Sequence, residues 1–433
     1  MKFKRLSIFL VVVCSATIVI AQSRRSYGPG RVWWEAGRGI LFPLEEDYDD
    51  ADGLLSILSS AGAVNPSGHA FFESLGSNDR ACITCHQPAN AMSLAPATLR
   101  ERWIETQGHD PVFAAIDGSN CPDLPQASMS SHSLLLTRGL IRIFLPWPSK
   151  VVPDFKLEVV RDPTGCNNSS VYGLHSAHPT ISVYRRPRMV ANFKYASQLS
   201  LMADGREPSL ESQAITAVLV HEQANAHPTN SQLSQIVDFE MQLFAAQGAD
   251  DRAGLLTEKG GPAALGPDNL AAGLAQRFAG ETAAPSSFAV WNQPKAKDVQ
   301  LACRASVARG SELFVGRCAT CHAAGSTSAI NIGTLNRPYA REAADLPVFR
   351  ITCDADGRVI YTQDPGHALI TGKCSDVGAI VMQQLRGLSA RAPYFSNGSA
   401  ATLRDVIDFY DHRYSIGYSE MQKQDLVNFL RTL

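Results

Sequence analysis

The sequence lacks an excess of charge of either sign: 39 Lys and Arg against 41 Asp and Glu leave a formal net charge of -2, and charged residues make up only 18% of the chain. So balanced a surface sets up no field that would draw the protein to nucleic acid or to an anionic bilayer, and both partner classes are set aside. Beyond residue 21 the chain also lacks any apolar run approaching the roughly 20 residues that a membrane-spanning helix needs. What stands at the start is "MKFKRLSIFLVVVCSATIVIA", a basic tip and then an apolar run that closes on Val19-Ile20-Ala21. That is the pattern of an export signal, so the mature chain is expected in the periplasm with no membrane span left after cleavage. An uncleaved anchor is the alternative, and the shortness of the run argues against it.

An exported chain meets an oxidising compartment, where ten cysteines are ordinarily a disulfide framework. Here their spacing divides them differently. Cys14 leaves with the signal, and two copies of one pattern account for four more: Cys82, Cys85 and His86 in "RACITCHQPAN", and Cys318, Cys321 and His322 in "GRCATCHAAGS". Of the five others, Cys353 with Cys374 and Cys121 with Cys166 are the expected disulfides, because each pair brackets a loop-rich segment whose closure stabilises. Cys303 is left over.

Cys-x-x-Cys-His in an exported chain is the attachment signature of c-type haem. Two thioether bonds fix one porphyrin edge to a single helical turn, and the adjacent imidazole is thereby brought to the iron. The expected cofactors are two covalently attached haems, with His86 and His322 as axial ligands. A zinc site would want four converging protein ligands and gives the adjacent histidine no role, while a thioredoxin-like pair would want a βαβ context that is absent here. Phe71, Phe72 and Leu75 before the first motif, and Leu313 and Phe314 before the second, are placed to pack on a flat ligand or to serve as ordinary core. The group opposite each histidine then decides between electron transfer and catalysis.

A length of 433 residues fits two domains. The division expected is a signal at 1–21, an arm at 22–60, a first domain at 61–300 and a second at 301–433. Short runs of strand character lie at 140–148, 154–160 and 180–186. Residues 209–225 read as a helix capped by Ser209, and the Ala/Gly/Pro-rich stretch 249–299 ends at the boundary. Two helices close the chain, one capped by Thr402 with Leu403, Val406, Ile407 and Tyr410 on one face, the other opened by the Ser419/Gln422 capping box. The fold class expected is mainly α, with a few short antiparallel strands and long loops in the first domain.

With "LMADGREPSLESQA", "DPGHALITGKCSDVG" and "LRGLSARAPYFSNGSAATLRDVIDFY" following the first motif in order, the chain from about residue 65 resembles the bacterial dihaem cytochrome c peroxidases and their relative MauG. The resemblance implies two cytochrome c-like domains, each around one haem. It also implies that peroxide reacts at the first haem, that electrons enter through the second from a small cytochrome c or cupredoxin or a protein substrate, and that the chain can form a homodimer. Seventeen residues after Pro393, where the peroxidases place a methionine ligand and MauG a tyrosine, stands Tyr410; Met421 and Met382 are the fallback ligands. The resemblance points to His178, beside His175, as the histidine that swings off the first iron on activation. Its distal pair is a glutamine, matched by Gln213, and a glutamate ten residues on, where Gln223 stands with His221 and Glu222 adjoining. On an unbroken helix His221 and Gln223 would each lie about 80° from Gln213, and Glu222 would point away.

Three further positions depart from the family. Ala203 replaces a tryptophan thought to relay electrons, Ser396 replaces a histidine near the second haem, and Arg186 and Gln383 stand where residues help hold an inter-haem calcium, so no such calcium is expected. The leading expectation is hydrogen peroxide reduction. A dihaem electron carrier and an oxygen-activating enzyme like the rubber-cleaving dihaem oxygenases are the alternatives.

Overall fold

The computed structural model describes residues 33–195, 200–274, 288–292, 298–322 and 342–433, without the side chains of Thr320 and Cys321. The expected signal segment lies outside the described residues. In chain order the elements are β1 (Glu45–Asp49), β2 (Gly53–Ser59), α1 (Cys82–Cys85), α2 (Pro96–Thr106), α3 (Ser133–Arg138), β3 (Ile141–Pro146), β4 (Phe155–Arg161) and β5 (Thr180–Arg185). There follow α4 (Leu210–Val220), α5 (Asn230–Gln242), β6 (Leu243–Asp250), β7 (Gly254–Leu255), α6 (Pro267–Ala271), α7 (Val299–Arg317) and α8 (Ala319–His322). The chain ends with β8 (Val348–Cys353), β9 (Val359–Thr362), α9 (Ala368–Thr371), α10 (Leu403–Tyr414) and α11 (Glu420–Arg431).

Strands are more numerous than the sequence reading allows. A four-stranded antiparallel sheet runs β1-β2-β6-β7, a two-stranded one pairs β3 with β5, and a three-stranded one runs β4-β8-β9. β6, "LFAAQGAD", is buried at every residue, so it shows no alternation by which a strand could be read from sequence. β1 and β2 fall in the stretch expected to be an arm, yet β2 pairs along its length with β6, from Gly53 opposite Asp250 to Ser59 opposite Leu243. β4 pairs with β8, Phe155 opposite Cys353, so the loop-rich part of the first expected domain shares a sheet with the second.

Two cores sit beside the two motifs. In the first, Phe42, Phe71 and Phe72 ring Phe239 of α5 at centroid distances of 5.2, 4.6 and 5.0 Å, and Ile83 of α1 is buried with them. In the second, α7 crosses α11: Phe314 meets Phe429 at 5.3 Å, and Leu403, Ile407 and Leu426 close the cluster. The crossing is tight because position 310 is glycine; a Cβ there would overlap the Asp425 carbonyl. The buried Asp425 carboxylate accepts from Ser306 Oγ (2.5 Å), Arg309 Nε (2.8 Å) and Arg309 Nη2 (2.7 Å), which ties the same two helices together. Both expected disulfides are present, Cys121–Cys166 with Cα atoms 5.2 Å apart and Cys353–Cys374 with Cα atoms 5.7 Å apart.

Candidate functional site

The first motif opens onto a cleft of about 1440 Å³, part of it continuous with solvent. Cys82, Cys85 and His86 line it together with Gln213, His221 and Glu222. The two cysteines occupy the single turn of α1 and are not joined to each other. Burial pushes the Cys85 thiol up to about 12 and the Cys82 thiol well above its ordinary value, with Glu222 and Glu240 adding to the latter. His86 lies within 3.1 Å of the Met92 carbonyl through Nδ1, so Nε2 is the nitrogen that would face a metal, and burial, opposed by the Met92 and Arg188 backbone, pushes its pKa down to about 4. Phe71 flanks it at a centroid distance of 6.5 Å, tilted by 41°.

Gln213 comes from α4, and His221 and Glu222 from the chain just past its end. Ser209 caps this helix by accepting from the Ser212 N–H, and Leu210, Ala214 and Val218 bury one face at intervals of four. Gln213, Ala217 and His221 follow at the same interval on the cleft side. The helix stops at Val220, so the ideal-helix projection does not reach residues 222 and 223. Gln223 takes a left-handed backbone, φ 56°, and is exposed, its Oε1 accepting from Asn78 Nδ2 at 3.2 Å. Glu222 turns inward instead, only 3% exposed. Its Oε2 accepts from the Leu75 N–H (2.9 Å), its carbonyl accepts from the Ser77 N–H (3.0 Å), and its Oε1 lies 3.8 Å from Cys82 Sγ. Gly76 lies against the Glu222 backbone so closely that any Cβ there would overlap it. Burial, opposed by the Leu75 N–H, raises the Glu222 carboxyl to about 7.

Three participants were missed from sequence. Asp117 holds His221 Nδ1 at 2.6 Å and is itself ion-paired with Arg80, both side chains 2% exposed. Burial disfavours the Asp117 charge, but Arg80 and His221 outweigh it and keep its pKa below the ordinary carboxylate value. Glu240 of α5 lines the same cleft at 2% exposure, its Oε2 has no hydrogen-bond partner among the described residues, and burial raises its pKa to about 8. Nothing in the local pattern around Asp117 or Glu240 announces a site; only the folded arrangement brings them there.

Other expected residues lie elsewhere. His178 and His175 are exposed in the loop before β5 and do not line the cleft. Met382, Gln383 and Ala203 do line it, whereas Met421 is 69% exposed on α11. At the second motif, the Cys321 side chain lies outside the described residues, and Cys318 packs against the α7–α11 core. His322 repeats the first arrangement: Phe314 flanks it at 6.2 Å, tilted by 46°, and burial pushes its pKa down to about 4. The Tyr418 hydroxyl is buried without a hydrogen-bond partner among the described residues, and burial with Cys318 nearby raises it to about 12. Tyr410 is half-buried on α10, 5.9 Å from Phe395 and stacked on Tyr414 at 6.1 Å.

Comparison with known proteins gives two curated relatives. A cytochrome-c peroxidase, IdrP1, of Denitromonas iodatirespirans is 29% identical over 151 residues, 30% of this chain and 40% of that protein. Its counterpart from Pseudomonas sp. (strain SCT) is 28% identical over 147 residues, 29% and 39% of the two chains. Part of this chain is therefore similar to cytochrome-c peroxidases. The chain spans about two fifths of the length of the relatives it matches. No family model matches it. Among the described residues no helix is long and apolar enough to cross a membrane.

Proposed function

We propose that the protein is an exported dihaem c-type oxidoreductase that reduces hydrogen peroxide in the cleft of the first motif, with electrons supplied through the second motif by a small redox protein. One observation carries the reading: a single cleft joins two unpaired thiols and a neutral imidazole, on one turn of chain, to a carboxyl and an imidazole that are equipped to move protons. The donor set fits a c-type haem, since Cys82 and Cys85 are free to form thioethers and His86 keeps Nε2 for iron. Cys318, Cys321 and His322 would hold a second haem, in two cytochrome c-like domains.

When bound, the first haem supplies the redox-active iron at which peroxide takes up two electrons and two protons to become two molecules of water. The chain's own residues handle the protons and the positioning. Glu222, with a carboxyl poised near neutrality, can take a proton from peroxide and return it to the departing oxygen. Asp117 fixes the His221 ring through Nδ1, so Nε2 is the nitrogen left for a group in the cleft, and Gln213 adds an amide that can orient it. Apolar walls, Ile141, Val190 and Leu201 among them, limit the water that reaches these groups.

The test is the purified holoprotein from a host competent for c-type attachment. The mass should exceed that of the polypeptide by two haems, and one ferric centre should be high-spin and react with peroxide. Two low-spin, peroxide-inert centres would make the protein an electron carrier and overturn the reading.

A further inference from the structure

The cleft holds more fixed positive charge than its own carboxylates match. Arg185 pairs with Asp204 and Asp364, Arg206 with Asp204 and Arg80 with Asp117. Arg186 and Arg188 also line the cleft, and every hydrogen bond their side chains make among the described residues goes to a backbone carbonyl. Arg186 donates to Arg391 O and Leu94 O, both at 2.6 Å, and Arg188 to Val381 O at 2.8 Å and Met382 O at 2.6 Å. A third guanidinium, Arg391, donates only to the carbonyls of Gln384, Arg386 and Gly387, and stands close enough to repel both, a repulsion that Asp204, already shared by Arg185 and Arg206, offsets only in part at Arg188. Arg186 and Arg391 are 9% and 8% exposed. Burying like-charged guanidiniums together is unfavourable unless an anion joins them, and carbonyl dipoles compensate only in part. Glu222 and Glu240 do not supply that anion: burial holds their carboxyls toward the neutral form, and both lie by Cys82.

We propose that Arg186 and Arg188, backed by Arg391, form an anion seat that takes the two propionate carboxylates of the haem attached at Cys82 and Cys85. The assignment rests on the haem reading above. A haem carries its thioether-forming groups on one edge and its carboxylates on another, so a group stitched at the two cysteines must bring two negative charges into the same cleft. Two planar guanidiniums, each with donors still unspent on the carbonyls, match two carboxylates in number and geometry. Arg186 thereby also links the bound group to the Arg391 backbone, part of the segment just before Pro393. These are positioning residues; they act on the iron through the charge they fix beside it.

The experiment is spectroelectrochemical titration of both haems in the wild-type holoprotein and in the Arg188→Met, Arg188→Lys and Arg186→Met variants. Removing a positive charge stabilises the ferric state, so both Met variants should lower the midpoint potential of the first haem and leave that of the second in place, which also shows that the fold is intact. A propionate that has lost its cation should gain about 1–3 pKa units, making the potential of the first haem more pH-dependent. Arg188→Lys keeps the charge and should remain near wild type. Fully loaded Met variants with an unchanged first potential would overturn the assignment alone, as would a Lys variant shifted as far as Met. A wild-type protein with no haem at Cys82 and Cys85 would overturn the underlying reading, and this one with it.

Discussion

Replacing Glu222 by Gln separates a proton-moving role from a structural one, because the two respond to pH in opposite senses. The carboxyl titrates near 4.5 in an unfolded chain and at about 7 in the fold, where burial disfavours its charge. Between those values the native state holds a proton that the unfolded state has released, so stability is greatest below the lower value, declines as pH rises to about 7 and is level above it. The shift corresponds to roughly 3 kcal/mol. Glutamine keeps an oxygen to accept the Leu75 N–H but carries no charge, so Glu222→Gln should be more stable than wild type at pH 8, by up to that amount, and equal to it near pH 4.5. Its peroxide reaction should slow by roughly 10²–10⁴. The rise of the wild-type rate with pH through about 7, as the carboxylate forms, should disappear. The assays are urea denaturation at several pH values and stopped-flow peroxide consumption by the reduced holoprotein. A variant that keeps the limb near pH 7 and most of the rate would refute the assignment, whatever its stability.

Other substitutions probe the supports of the site. Asp117→Asn removes the partner of Arg80, leaving a guanidinium buried at 2% exposure, and should cost about 3–5 kcal/mol in urea denaturation. Gly310→Ala forces α7 from the Asp425 backbone and should lower stability by roughly 1–3 kcal/mol, visible as a fall in the melting temperature. Replacing both Cys121 and Cys166 by Ser opens a loop with a sequence separation of 45 and should cost about 4 kcal/mol on the loop-entropy estimate, measured by denaturation of the oxidised protein.

The sequence carried some of this architecture plainly. Runs such as "DFKLEVV" and "TISVYRR" became β4 and β5 within a residue or two, because branched and aromatic residues there lie between turn formers. The cap at Thr402 and the capping box at Ser419 marked the starts of α10 and α11. β6 escaped because it is buried on both faces, and the β4–β8 pairing because nearly two hundred residues separate its partners. Glu222 stands among the distal candidates of the sequence, but its inward turn escaped for a different reason. No glycine or proline interrupts "VLVHEQAN", and the end of α4 at Val220 is decided from outside the helix, where Leu75, Gly76 and Ser77 take hold of Glu222. A local rule cannot see a helix end fixed by chain nearly a hundred and fifty residues away.

The repetition of the motif makes the difference between its two settings informative. Each histidine has the same local equipment: a phenylalanine from the preceding run at 6.5 or 6.2 Å, a tilt near 45°, and burial that keeps the imidazole neutral. What differs is the chain around it. His86 opens on a cleft with two carboxyls poised near neutrality, a carboxylate-held histidine and unmatched guanidiniums. The described surroundings of the second motif are the α7–α11 core, with Phe314, Leu403 and Ile407, and one buried hydroxyl, that of Tyr418, which stays protonated near neutral pH. Reducing peroxide requires protons delivered at the iron, whereas passing electrons requires a rigid, dry setting that changes little with charge. The proposed division of labour follows from that contrast: the same motif occurs twice and, among the described residues, the two carboxyls and the carboxylate-held histidine stand beside the first copy.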